Sequence, residues 1–244
     1  MFYKRTGFLL GICFLFILSA CSGDSTEDDI YDHLEESVKL EESFVEQQTA
    51  ISELEEKEQS IYEEIFELSM DDHDSIKDLS EEAITSIDER REKVESEKES
   101  MDASKEEFIK IEDLISDLDG EDIQNKAEEM HDAMMKRYDA YDGIYDTYMN
   151  SLDLEKEMYT MLQDEDLEQE ELSSQLDKIN ESYQDIIDTN EEFNKYTVEF
   201  NALKREFYDV AGIEVEYDEE APAKDENDTD EKDTGNDDEE NEEE

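Results

Sequence analysis

The chain has 244 residues, of which 80 are Asp or Glu and only 21 are Lys or Arg, so its formal net charge is −59. Hydrophobic residues make up 35%, below the roughly 45–50% of ordinary globular chains. Taken alone, this composition predicts disorder, unless the apolar residues are spaced so that they gather on one face. The charge excludes nucleic acid and anionic lipid headgroups as direct ligands, because both need a basic patch.

The first 20 residues have the features of a secretory signal peptide. Two basic residues near the start precede an apolar run over 8–17, which is too short to span a hydrocarbon core of about 30 Å. The segment ends in Leu-Ser-Ala-Cys at 18–21, which resembles the lipobox of bacterial lipoproteins. We therefore predict cleavage between Ala20 and Cys21 and lipidation of Cys21. The alternative is an ordinary signal peptide followed by a chance cysteine.

The chain contains only two cysteines, Cys13 and Cys21. Cys13 lies in the segment that cleavage would remove, and Cys21 would carry the lipid. The exported part is therefore predicted to have no free thiol, no disulfide and no cysteine-based metal site.

Long helices are predicted for most of the chain. Between Asp24 and Ala211 there is no proline, and the glycines there are Gly120 and Gly143. Strands need frequent turns, whereas apolar residues here recur with a period of about 3.5 to 3.6. We predict helices over about 27–70, 74–118, 121–163 and 167–211.

Short breaks between long amphipathic helices place consecutive helices antiparallel. The predicted fold is therefore all-α, an elongated up-and-down antiparallel bundle of four long helices over 27–212, preceded by a short linker over 21–26. Over 213–244 the helical period disappears and the net charge is −16, which predicts a disordered acidic tail. A three-helix, spectrin-like packing and a coiled coil that closes only on dimerisation are alternatives.

Local signals mark helix ends. Asp166 with Gln169 has the spacing of a capping box, and Asp74 or a neighbouring aspartate is a candidate N-cap for the second helix. Gly212 followed by Ile213 predicts a Schellman ending of the fourth helix.

Several short runs resemble a known family. After the lipobox come DDIY at 28–31, FVEQQ at 44–48, LEEKEQ at 54–59 and EKES at 97–100. With these runs the sequence over about 21–212 resembles the YkyA-type cell-wall-binding lipoproteins of Bacillus relatives. The resemblance implies a lipid-anchored helical bundle outside the membrane that associates with the cell wall. It brings no catalytic or ligand residues.

No catalytic, metal or cofactor site is predicted. Carboxylates are so frequent that pairs occur at every spacing, so no acid and base of a hydrolase can be distinguished. His33, His73 and His131 are isolated, and no calcium-loop motif is present. We therefore expect a protein without enzymatic activity, bound metal or cofactor.

The third predicted helix carries a stripe of tyrosines, Tyr138, Tyr141, Tyr145 and Tyr148. We predict that these rings pack in the core or at its boundary. Because aromatic rings also stack on sugars and peptides, the stripe is the first candidate for a binding surface.

Three functions are compatible with the sequence. The leading hypothesis is a non-enzymatic lipoprotein, held by Cys21 on the outer face of the cytoplasmic membrane, that binds or spaces the cell envelope. Contact with anionic wall polymers would need divalent cations, cationic substituents of the polymer or the tyrosine-rich helix. The alternative is a helical module that docks a membrane or exported protein, with Glu58, Arg90 and Glu97 marking an unsealed groove. The weakest is an envelope hydrolase.

Overall fold

A computed structural model describes residues 25–69 and 72–215. The described residues form six helices and no strand: α1 (Thr26–Leu40), α2 (Glu42–Glu67), α3 (His73–Phe108), α4 (Ile111–Ile115), α5 (Glu121–Met161) and α6 (Gln169–Ala211). Several predicted features lie outside the described residues: the signal peptide, the cleavage and lipidation site at Ala20 and Cys21, and the tail from 216 onward. Met70 and Asp71 are also outside.

The prediction of an all-α fold with four long antiparallel helices is confirmed. α1 and α2 together form the first column of the bundle, α3 with the short α4 forms the second, and α5 and α6 form the third and fourth. Contacts run in opposite chain directions for each consecutive pair of columns: His33–Glu107 and Glu58–Arg90, then Lys105–Asp139 and Arg90–Glu155, then Lys126–Glu206 and Thr147–Thr189. Consecutive columns are therefore antiparallel.

The first column is interrupted at Glu41, although the sequence there contains neither Gly nor Pro. Glu41 separates α1 from α2 with φ −82° and ψ −1°. Ser100 Oγ on α3 donates a hydrogen bond of 2.6 Å to the carbonyl oxygen of Leu40. The buried heptad positions continue across the break, since Ile30, Ser37, Phe44 and Ile51 are all buried, whereas Leu40 is half-buried.

The second column also differs from one continuous helix. α3 ends at Phe108, and α4 begins after two intervening residues. At its other end α3 begins at His73 and follows Asp72. The side chain of Asp72 accepts hydrogen bonds from Ser69 and makes no capping bond to α3. Asp72, a neighbour of Asp74, therefore occupies the N-cap position of this helix, but its side chain does not cap it.

Of the predictions for the two ends of α6, the one for the C-terminal end is confirmed and the one for the N-terminal end is wrong. The predicted capping box beginning at Asp166 is wrong, because α6 starts later, after Glu168, and has no side-chain cap. The Asp166 N–H instead donates within the loop to Asp164. At the C-terminal end Gly212 has φ 70°, and the Ile213 N–H donates a 3.0 Å hydrogen bond to the Tyr208 carbonyl, as a Schellman ending requires.

The core consists of one apolar seam from each column. In the second column, apolar residues that recur at intervals of mostly three, four or seven are all buried: Ile76, Ala83, Ile87, Val94, Met101, Phe108, Ile111, Ile115 and Leu118. Removing each larger side chain from water contributes about 1.5–3 kcal/mol. Among the described residues, no helix is long and apolar enough to cross a membrane.

Candidate functional site

The four tyrosines of the predicted stripe all lie on α5 but differ in exposure. Tyr138 and Tyr141 are each only 2% exposed, and the Tyr138 hydroxyl lies 2.7 Å from Ser104 Oγ inside the bundle. Tyr145 and Tyr148 are half-buried. A ligand at the surface can reach only Tyr145 and Tyr148, so the four residues do not form one binding surface.

The two half-buried tyrosines contact charged neighbours. Lys98 Nζ lies 5.9 Å from the ring centroid of Tyr145, and the Arg90 guanidinium carbon lies 5.7 Å from that of Tyr148. Both distances suit cation–π contacts. The Tyr148 hydroxyl also donates a 2.7 Å hydrogen bond to Glu55. These contacts hold both rings within the packing of the bundle.

A polar cluster around Arg90 joins all four columns in the interior. Arg90 is 2% exposed, and its guanidinium pairs with Glu155 on α5 and, at 2.7 Å, with Glu58 on α2. Glu55 on α2 lies farther away, at 3.7 Å. Tyr183 on α6 donates a 2.6 Å hydrogen bond to Glu155. One cation therefore faces three carboxylates, and hydroxyl groups supply the additional donors.

A second cluster lies at the break between α1 and α2. Arg137 on α5 is 4% exposed and donates two hydrogen bonds, of 2.8 and 2.7 Å, to the two carboxylate oxygens of Glu41. Ser104 on α3 donates a further bond of 3.0 Å to Glu41, and Arg137 Nε donates one of 3.1 Å to Thr197 on α6. The Glu41 carboxylate therefore faces the interior of the bundle at the break in the first column.

Sequence reasoning missed this second cluster. Arg137 immediately precedes Tyr138 of the predicted tyrosine stripe, and Glu41 follows Leu40. Those positions are the only sequence signal, and they do not reveal that the two side chains meet.

Glu97 on α3 is buried without a cationic partner among the described residues. It is 4% exposed, and the Gln48 amide on α2 donates a hydrogen bond to its carboxyl group. The Tyr141 hydroxyl on α5 is a further neighbour. Burial raises the pKa of Glu97 to about 8. Its side chain is therefore largely protonated in the folded protein at neutral pH.

The polar seam residues do not mark an unsealed groove. Glu58, Arg90 and Glu97 are 8%, 2% and 4% exposed, respectively. Arg90 and Glu58 pair with each other, and Glu97 bonds to Gln48. The interpretation of these three residues as lining a groove is wrong.

The histidines make separate contacts. His33 Nδ1 lies 2.6 Å from Glu107, His73 Nε2 lies 3.7 Å from Glu165, and the His131 ring stacks on Phe108. Within residues 25–69 and 72–215, no group of three or more His, Cys, Asp or Glu side chains is arranged to hold a metal ion.

Comparison with known proteins identifies the family. Residues 25–210 match the YkyA family, described as "Putative cell-wall binding lipoprotein". The chain belongs to the YkyA family. It is 35% identical over 214 residues to the uncharacterized lipoprotein YkyA of Bacillus subtilis (strain 168), an alignment that covers 87% of this chain and 96% of the relative. The predicted family is therefore confirmed.

A solved structure shares the fold. The crystal structure of a conserved protein of unknown function from Staphylococcus aureus matches with a TM-score of 0.65 and 16% sequence identity. The match covers 78% of this chain and 97% of that chain. At this identity the likeness concerns the fold alone.

Replacing Arg90 with Met leaves Glu58 and Glu155 buried without their cation. Breaking a buried ion pair in this way costs about 3–5 kcal/mol. We expect urea unfolding, followed by far-UV circular dichroism, to show a loss of that size. The matched control is Arg91→Met, which removes an ion pair to an Asp153 side chain that is 73% exposed, and should cost less than about 1 kcal/mol. Equal losses in the two variants would contradict the role of Arg90.

Replacing Glu97 with Gln should remove a pH dependence of folding. Because the pKa of Glu97 is raised from 4.5 to about 8, the folded state retains a proton that the unfolded state has released. The contribution of Glu97 to the free energy of unfolding is complete below about pH 4.5. It then decreases by about 1.4 kcal/mol per pH unit until the pH reaches about 8.

The measurement is the difference in unfolding free energy between the parent chain and Glu97→Gln from pH 5 to pH 9. This difference should decrease with pH and become flat above about pH 8. Glu95→Gln, at an exposed position on the same helix, is the control and should give a difference that changes little with pH. A constant difference for Glu97→Gln would refute the assignment.

Proposed function

We propose that the protein is a non-enzymatic lipoprotein, held by a lipid on Cys21 at the outer face of the cytoplasmic membrane, whose helical bundle binds or spaces the cell envelope. The family match over 25–210 carries this proposal, since it begins four residues after the cysteine of the lipobox-like Leu-Ser-Ala-Cys at 18–21. Two acyl chains on one cysteine give stable attachment, whereas a single chain binds only marginally.

Electrostatics restrict how the bundle can contact a wall. Without the tail and the basic start of the signal peptide, the chain still carries −45. Wall polymers that contain phosphate are also anionic, so direct contact is repulsive. Divalent cations bind carboxylate and phosphate oxygens and can bridge the two. Because Tyr138 and Tyr141 are buried, bridging by Mg²⁺ or Ca²⁺ is the contact we propose.

Lipidation can be tested by metabolic labelling with a fatty acid. The parent chain should incorporate the label, and Cys21→Ala should not, because the thiol is the proposed acylation site. Cys13→Ala is the matched control and should retain the label on the mature protein, since Cys13 lies in the predicted signal peptide. Label that persists in Cys21→Ala would refute this site.

Wall contact can be tested by sedimentation with isolated cell walls. The full chain, kept in mild detergent, should sediment with the walls when Mg²⁺ or Ca²⁺ is present and should be released by a chelator. NaCl at equal ionic strength is the control and should not restore binding, because monovalent ions screen charge without bridging. Binding that survives chelation would exclude cation bridging and leave the lipid anchor untouched.

A further inference from the structure

Three parts of the chain meet at one end of the bundle. α1 begins there at Thr26, α5 begins there after Gly120, and α6 ends there at Ala211. Ion pairs and hydrogen bonds of the nearby turns place these helices side by side: Lys204–Glu35, Tyr208–Glu35, His33–Glu107 and Lys126–Glu206. We call this end, formed by residues 25–28, 116–121 and 211–214, the anchor end.

The opposite end of the bundle is formed by the other two connections between columns. α2 connects to α3 there, and α5 connects to α6. His73 Nε2 at the start of α3 lies 3.7 Å from a carboxylate oxygen of Glu165 in the second connection. We call this end, which includes residues 68–69, 72 and 162–168, the loop end. α5 runs from the anchor end to the loop end through 41 residues, so the two ends are about 60 Å apart at 1.5 Å per residue.

The start of α1 limits how far the anchor end can lie from a membrane that holds Cys21. The Ser25 side chain caps this helix by accepting a 3.2 Å hydrogen bond from the Asp28 N–H. Ser25 lies four positions after Cys21, and four residue steps of fully extended chain reach at most about 14 Å. A lipid on Cys21 therefore keeps the anchor end within about 14 Å of the lipid headgroups.

Charge disfavours a bundle that lies along the membrane. Each long helix is strongly acidic: α2 has 9 acidic residues and 1 basic residue, α3 has 13 and 6, α5 has 11 and 4, and α6 has 11 and 4. Contact along the side would bring the carboxylates of a whole column against the surface, which anionic lipids repel.

Contact through the anchor end involves far fewer charges. The electrostatic screening length is about 8 Å at physiological ionic strength, which is short compared with the length of the bundle. A bundle that stands on its anchor end therefore brings only the carboxylates of that end close to the lipids, such as the exposed Asp117, Asp119 and Asp122. The remaining carboxylates lie beyond the range of the membrane charge.

We propose that the bundle stands on the membrane by its anchor end, with its long axis directed outward and its loop end about 60 Å from the lipid headgroups. The acyl chains on Cys21 hold the anchor end at the lipid surface, and repulsion keeps the acidic columns away from it. This orientation rests on the lipid anchor proposed above. It makes the bundle a spacer of defined length and makes the loop end the part that reaches the wall first.

The test measures the height of three positions above a bilayer. Asp119→Cys lies at the anchor end, Glu95→Cys about half-way along the second column, and Asp166→Cys at the loop end. All three positions are exposed, and each substitution removes one carboxylate, so the variants are matched in charge. The lipidated full chain, with Cys21 acylated, carries a fluorescent donor on the new thiol. It is reconstituted in vesicles of phosphatidylcholine with about one third phosphatidylglycerol, which carry an acceptor on the headgroups.

Energy transfer should decrease in the order Asp119→Cys, Glu95→Cys, Asp166→Cys. The last should give at least about threefold less transfer than the first, because the positions lie about 35 and 60 Å farther along the bundle. Raising NaCl to about 1 M shortens the screening length to about 3 Å, so transfer from Asp166→Cys should increase. Far-UV circular dichroism of the three variants should match that of the parent chain.

Equal transfer from the three probes would show a bundle that lies along the bilayer and would overturn the proposal. More transfer from Asp166→Cys than from Asp119→Cys would also overturn it, since the loop end would then face the lipids. Transfer from Asp166→Cys that does not respond to salt would contradict repulsion as the cause of the orientation. A parent chain that incorporates no fatty acid would refute the lipid anchor as well, whereas equal transfer from lipidated chains overturns the orientation alone.

Discussion

Buried cations hold the columns of a strongly anionic chain in register. Arg90, Arg137 and Lys204 are 2%, 4% and 6% exposed, and each pairs with a carboxylate on another column. A buried charge without a partner is costly, so a slipped arrangement that separated these pairs would be strongly disfavoured. Repulsion between the acidic outer faces opposes folding. The apolar seams supply the net attraction, and the ion pairs determine which residues lie opposite one another.

Glu97 shows what happens in the same interior without a cation. Its carboxyl group lies between Gln48 and the neighbourhood of Tyr141, so burial is offset only by neutral donors, and the pKa of Glu97 rises to about 8. Glu41 differs from Glu97 because Arg137 donates two hydrogen bonds to its carboxylate. Both carboxyl groups are buried in the bundle, but only that of Glu41 has a cation beside it. The folding free energy is therefore coupled to pH through the unpaired group.

The sequence predicts the helices well because hydrophobic periodicity and the absence of breakers are local properties. It does not predict the ion pair between Glu41 and Arg137, since the two residues lie 96 positions apart in the chain. The capping box at Asp166 fails because the loop before α6 extends past it. Spacing also places Tyr138 and Tyr145 on one stripe, but which ring is buried depends on the neighbouring columns. Tertiary contacts decide the first and the last of these features.

The same scarcity of basic residues shapes the surface. Of the 21 Lys and Arg residues, Arg90, Arg137 and Lys204 are buried inside the bundle. Most carboxylates on the outer faces are therefore not neutralised, and these faces repel anionic polymers unless cations lie between them.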